Sequence, residues 1–278
     1  MYTPPKKQVT KSTTKQALAS AAIAAATYKG FNHDAMYNEG EHTDTDRDQE
    51  AEASMLVDKW WRARMDPKLG FSPVDVDEQG VTVLHAVDKV SGSCKAIGHC
   101  IINATPKQAF GYYTASRKFA TGGAEVIEAS YTASLELLAV AADKEALCRR
   151  FYLKKKDGDG YDCFSSTGYA VDDENKPASA GRERTDMIFC TVVREAAGTE
   201  GKLSEVLVLS IIDPKVSESE AQSILQTVVE TPLVNMKRNV EKVVASYKPD
   251  EDEEQGDVNL TWKGHLWKMA LEAAMGVQ

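Results

Sequence analysis

What most limits the fold of this chain is a change of period. From Phe71 to Asp213 apolar residues recur at every second position in run after run, and from Ser217 to Tyr247 at every third and fourth. Alternation puts successive side chains on opposite faces of a strand, and the three-four spacing draws one stripe along a helix. The strands read as Val81 to Val87, Lys95 to Asn103, Ala124 to Ser130, Ser134 to Ala142, Leu147 to Lys156, Tyr161 to Val171, Arg184 to Arg194 and Leu203 to Ile212. Short turns between them predict a meandering antiparallel sheet. The helix opens on a capping box, Ser217-Glu-Ser-Glu220, and carries Leu225, Val228, Val229, Leu233, Met236 and Val240 on its stripe. At about 1.5 Å per residue it is ~45 Å long, enough to cross a whole sheet, and Pro232 inside it predicts a kink.

Smaller signals fill in the order. Glu50 to Arg64 has helical spacing, ended by Asp66-Pro67, and Thr105-Pro106 has the look of a helix start. The segment Asp157-Gly-Asp159-Gly-Tyr-Asp162 raises a calcium loop as one reading. Such a loop needs acids where this chain has Tyr161 and Gly168, and a helix where it has the alternating Leu147 to Lys156. A hairpin turn whose glycines supply positive φ is the better reading. The closest cysteines, in Cys94-Lys-Ala-Ile-Gly-His99-Cys100, fail as a zinc site because adjacent strand residues face opposite ways and no second pair completes the ligands. They are expected to be buried free thiols in a reducing, cytoplasmic setting.

Charge sets the domain boundaries. The chain carries a net charge of −9, which argues against nucleic acid as the partner of the whole molecule. Residues 1–33 nevertheless hold Lys6, Lys7, Lys11, Lys15 and Lys29 with no acid, and the sign then reverses through the acidic stretch to Glu52. A second acidic run, Asp250 to Glu254, precedes a short amphipathic helix bearing Trp262 and Leu266. Both acidic stretches lack the apolar residues that offset ordering entropy and are read as linkers. The expected division is a basic then acidic tail over 1–50, a folded domain over 51–248, and an acidic linker with a small helix over 249–278. No apolar run approaches the ~20 residues of a membrane-spanning helix.

Helix, hairpin, short helix, antiparallel meander and one long final helix form an order that resembles the START (steroidogenic acute regulatory protein-related lipid transfer) domains. The likeness rests on VTVLHAVDK, on CRRFYLKKKDGDGYDCFSSTG, on the strand pair ending VLVLSIIDP and on Glu230-Thr-Pro232. Two departures are visible: Arg150 stands where the family has Asp, and Lys-Val-Ser-Glu replaces the Gly-x-Pro-Trp start of the final helix. The resemblance implies an α+β helix-grip fold, a curved antiparallel sheet wrapped around a long C-terminal helix. It also implies a tunnel between them for a lipid or other apolar ligand. Alternation nominates as lining His85, His99, Leu135, Leu137, Arg149 and Phe151 on the strands, and Val228, Met236 and Val240 on the helix. A hairpin turning about Gly92 would set His85 and His99 opposite each other. The plainer alternative leaves Arg149 in solvent and the histidines as ordinary residues. Glu136, a charge on a strand otherwise apolar, raises the same question.

No GxSxG, Gly-rich phosphate loop, HExxH or partnered cysteine signature is present, so a binding module without catalytic residue, cofactor or metal is the simplest expectation. The competing expectation is a scaffold in a large cytoskeletal or ciliary assembly. There Lys6, Lys7, Lys11 and Lys15 would anchor the chain to an acidic protein partner or another anionic surface.

Overall fold

The computed structural model describes residues 42–73, 80–88, 93–119, 124–129, 133–156, 160–213, 223–225 and 229–246. The elements are α1 (Asp44–Arg62), β1 (Ser72–Pro73), β2 (Thr82–Val87), β3 (Cys94–Ile102), α2 (Pro106–Phe119), β4 (Ala124–Ala129) and β5 (Ala133–Ala139). There follow β6 (Lys144–Lys156), β7 (Asp162–Ala170), β8 (Glu183–Arg184), β9 (Asp186–Glu195), β10 (Ser204–Asp213) and α3 (Thr231–Ser246).

The strands form one sheet in the order β1-β2-β3-β10-β9-β7-β6-β5-β4, with β8 against the start of β6. Every neighbouring pair on that path is antiparallel; β8 alone runs parallel to its partner. The sheet is thus a meander with one crossing. After β3 the chain leaves through α2, re-enters at the far edge as β4, and returns strand by strand until β10 pairs with β3.

The two faces of this sheet are covered by different helices. Under α1 lie Leu84, Ile97, Cys190, Val192, Leu207 and Leu209, packed on Ala53, Val57 and Trp60 of the helix. The opposite face presents Ala96, Cys100, Val193 and Val206 to Phe110 and Tyr113 of α2 and to Leu233, Met236 and Val240 of α3. Contact with α3 is close at Gly98, where a Cβ would meet Leu233 Cδ2 at 2.8 Å and Val229 Cγ1 at 3.3 Å. A C-terminal helix packed on β3, against an antiparallel sheet that is entered by one crossover, is the helix-grip, START-like arrangement.

Local chemistry explains the helix ends. Thr43 accepts from the Asp46 backbone and the Asp46 carboxylate accepts from the Thr43 backbone, so α1 begins with a closed capping box. Asp44 and Asp46 in its first turn and Lys59 and Arg62 in its last suit the helix dipole. Thr105 makes the same reciprocal bonds with Gln108 at the start of α2. Just before Thr231-Pro232 the helical winding widens to a π turn at Val229–Glu230. Proline has no N–H and crowds the preceding turn, and a wider turn is one way a helix accommodates it.

Three expectations need correction. Residues 44–50, read as part of an acidic linker, are the first turns of α1, because Asp46 and Glu50 are buried against Arg149 and Lys155 of β6 while Asp44 and Asp48 stay exposed. The sheet is not a plain meander, since β3 pairs with β10. Nor do His85 and His99 face each other: their partners in the β2–β3 ladder are Ala96 and Thr82, which puts the two histidines on opposite faces. The DGDG hairpin is present in its flanks, with Lys156 paired to Asp162 and Gly160 at φ 86°; residues 157–159 lie outside the described set. Also outside it are the basic tail with Lys6, Lys7, Lys11 and Lys15, the capping box at Ser217, Val228, and the C-terminal helix. No helix among the described residues is long and apolar enough to cross a membrane.

Candidate functional site

β6 is apolar on both faces, and its arginine doublet divides between them. Arg149 emerges on the α1 face and Arg150 on the face of α2 and α3. Arg150 is 1% exposed. Its Nε donates to both oxygens of Glu136 on β5, at 2.9 and 3.0 Å, and its Nη1 donates to Tyr113 Oη of α2 at 3.1 Å and to Ser166 Oγ of β7 at 3.2 Å. Ser134 donates to Glu136 at 2.7 Å, and Thr191 of β9 donates to Tyr113 Oη at 3.2 Å. The ring of Phe189 lies under the guanidinium, 4.1 Å from its carbon. That ring fits only because residue 168 is glycine: a Cβ there would stand 1.9 Å from Phe189 Cζ.

Burial by itself disfavours the charge on Arg150, but the Glu136 carboxylate beside it outweighs that cost and raises the guanidinium pKa above its usual value. The pair therefore stays ionised, and the sum of its charges is zero. Around it the wall is aromatic, with Phe110 5.4 Å from Phe164, 5.9 Å from Tyr113 and 6.3 Å from Tyr152, centroid to centroid. Cys148, on the same face, is pushed up to about 12 by burial, so it is not a thiolate nucleophile.

On this face one donor makes no bond to a described residue and one buried hydroxyl lacks a partner. Arg150 Nη2 makes no hydrogen bond among the described residues, although Nε and Nη1 are fully engaged. Ser210 of β10 is 1% exposed and its hydroxyl has no bonding partner either. Ser210 pairs across the ladder with Phe189, the residue stacked on Arg150. Buried polar groups are almost always satisfied, so the Ser210 hydroxyl calls for an explanation, as does Ser165 Oγ, buried without a partner on the α1 face.

The nominated lining residues separate into two sets. Met236 and Val240 are buried in the core between α3 and the sheet, and His85, partly exposed, is on that same face. Arg149, Phe151, Leu135 and Leu137 occupy the other face, as the β5–β6 register and the bond from Arg149 to Asp46 of α1 require. His99 is there as well, stacked on Trp61 of α1 at 4.4 Å and 3.2 Å from Glu205. These five cannot share a cavity with α3; β5 and β6 were assigned inside out. Arg150, Tyr113, Ser166 and Thr191 were missed, and Glu136, noticed as anomalous, turns out to be the partner of Arg150.

The α1 face is also ionic, but between elements. Asp46, fully buried, accepts from Arg149 Nε and Nη2 at 2.8 Å each and from Tyr169 Oη at 3.1 Å. Glu50 takes Lys155 at 2.7 Å, and Asp58 takes Arg194 at 3.0 Å, which in turn holds Glu205 at 2.7 Å. All five cysteines are free and buried.

No family model matches the chain, and no curated protein matches it. Among solved structures it is similar to human StAR-related lipid transfer protein 5, at 14% identity over 70% of this chain and 96% of that one, with a TM-score of 0.47. Human STARD10 aligns at 15% identity over 77% of this chain and 89% of its own, TM-score 0.46. A STAR-related lipid transfer protein of Xanthomonas axonopodis aligns at 19% over 62% and 98%, TM-score 0.45. Likeness at this level adds no weight to any ligand or residue. The START-like fold stands on the strand order and on α3 lying against β3.

Proposed function

We propose that the protein binds, without catalysis, one apolar molecule between the sheet and α2 and α3, and that Arg150 and Ser210 hold its polar end. The observation that carries this reading is the buried Ser210 hydroxyl without a partner, next to the Phe189 ring stacked on Arg150, whose Nη2 makes no bond to a described residue. Because Glu136 already balances the charge, the group suited to Nη2 is a neutral acceptor such as a hydroxyl or carbonyl oxygen, not an acid. The aromatic and aliphatic walls suit the rest of such a molecule. A lipid with a small neutral polar end fits both, and transfer of that lipid between surfaces is the activity such a binding module would support.

The test is native mass spectrometry of the protein purified from its own cells, beside the double variant Glu136→Leu/Arg150→Met. Replacing a buried ion pair by apolar residues of similar size is often neutral or stabilising, so the variant should fold. Wild type should carry a bound apolar species, and the variant should lose it or exchange it for a pure hydrocarbon chain. The same oxygen-bearing ligand on both proteins would refute the anchor role.

A further inference from the structure

We infer that the corner where α1 ends, from Met55 to Lys68, is a docking surface for an anionic lipid membrane. The inference rests on the ligand-binding reading only for its purpose: a protein that exchanges an apolar ligand must meet the surface that holds it. The evidence for the surface itself is separate.

Basic residues under α1 fall into two groups. Arg149, Lys155 and Arg194, on the strands, are each paired with an acid of the helix. Lys59, Arg62, Arg64 and Lys68, at the end of the helix and in the turn after it, make no ion pair among the described residues. The last-turn position of Lys59 and Arg62 explains their sign, since cations suit a helix C-terminus. It does not explain Lys68, which lies beyond the helix, nor what stands among these charges. Met65 is 84% exposed and Met55 is 60% exposed, the two most exposed large apolar side chains among the described residues. Met55, Lys59 and Arg62 follow each other at i, i+4 and i+7 and so share one side of α1.

Charge complementarity names the partner class. In a chain of net charge −9, these four cations outnumber the one exposed acid among them, Asp66, which caps the turn at Lys68 N, and such a group is attracted to anionic surfaces that the rest of the molecule repels. Exposed methionine beside long lysine and arginine stems is suited to the boundary of headgroups and acyl chains, where the stems lie in the apolar layer and the charged ends meet phosphate. A single-stranded nucleic acid would use free aromatic faces for stacking. Trp61 is already occupied, by His99 at 4.4 Å and by the Arg64 guanidinium 4.3 Å over its ring.

Co-sedimentation of the full chain with phosphatidylcholine vesicles, with and without phosphatidylserine, tests this. Wild type should bind the anionic vesicles and leave the neutral ones. Lys59→Glu/Arg62→Glu/Lys68→Glu should weaken that binding by at least about tenfold, and Met65→Ser by a few fold. Neutralising Lys6, Lys7, Lys11 and Lys15 to glutamine in the full chain should have the smaller effect. Lys59, Arg62, Met65 and Lys68 are exposed, so thermal melting of the corner variants should be unchanged. The proposal is overturned if wild type ignores anionic vesicles, if the tail variant loses binding and the corner variant keeps it, or if RNA or polyglutamate binds as well as vesicles and Met65→Ser is silent. Ligand retention by the corner variant, read by native mass spectrometry, is independent of all these outcomes and separates failure here from failure of the ligand-binding reading.

Discussion

The two faces of the sheet use charge in opposite ways. On the α1 face, Asp46, Glu50 and Asp58 cross from helix to strand and each meets a cation, so the ion pairs serve as fastenings. On the other face a single pair, Arg150 and Glu136, sits inside apolar packing; Arg150 Nη2 makes no bond to a described residue, and the Ser210 hydroxyl has no partner. The helix-to-strand pairs are complete once the chain has folded, although Ser165 Oγ beneath α1 is also left without a partner. The contrast is between ion pairs that join a helix to the sheet on one face and a pair that lies within the sheet on the other, and the site proposed under α3 rests on Arg150 and Ser210.

The largest expected effect breaks the inner pair on one side only. Arg150→Met leaves the Glu136 carboxylate buried without its cation and should destabilise the protein by about 3–5 kcal/mol in urea denaturation. Glu136→Leu added to it should restore most of that loss. Arg149→Met, on the other face, should cost less, because Arg149 is about one-third exposed and the Asp46 it leaves keeps the donors Tyr169 Oη and Thr43 N–H. Equal costs for the two arginines would erase the distinction drawn between the faces.

Adjacent arginines show what was legible beforehand and what was not. Eight strands are legible to within a few residues, because alternation is a local property of the chain, whereas the two-residue β1 and β8 are too short to alternate. Which side of β6 faces α3 was not legible, because Leu147, Phe151 and Leu153 alternate with Ala146, Cys148 and Tyr152, and both sides look like a core. The missed signal was stoichiometric: of two neighbouring arginines on a strand one must point inward, and the unexplained Glu136 on the preceding strand was its natural counter-ion. The acids of residues 44–50 misled in the converse way. Their density suggested a solvated linker, although Thr43-x-x-Asp46 is a helix-start pattern, and the cations that neutralise them are about a hundred residues away in the chain. Pairings that distant, including β3 with β10, leave no mark in a local window.

Gly168→Ala sharpens the comparison at intermediate size. Its Cβ would collide with three atoms of the Phe189 ring, so the ring must leave the guanidinium of Arg150. Overpacking of this kind costs about 1–3 kcal/mol, and the closeness of the collision puts the expected loss at the upper end. Because the shift falls on the inner face, ligand retention in native mass spectrometry should fall as well, whereas hydrogen exchange of α1 amides should stay as in wild type. Faster exchange in α1 would mean that the two faces are mechanically coupled.

The smallest effect is a titration confined to the α1 face. Burial pushes the Asp46 carboxyl up, but bonds from Arg149 and the Thr43 backbone, with the charge of Arg149, overcome this and bring its pKa down from 3.8 to about 2. Glu205, held by His99 and Arg194, is likewise lowered to about 2. A carboxyl whose pKa is lower folded than unfolded stabilises the fold above its unfolded value and ceases to do so as the pH falls through the folded one. The Asp46 contribution, about 2 kcal/mol, should therefore be intact at pH 5 and above and disappear between about pH 4 and pH 2. Hydrogen exchange across that range should show α1 loosening. In Asp46→Asn the α1 amides should exchange faster already at neutral pH and change less on acidification, with bound ligand unaffected. An acid response in α1 as steep in Asp46→Asn as in wild type would move the fastening from Asp46 to the Asp58, Arg194 and Glu205 group at the other end of the helix.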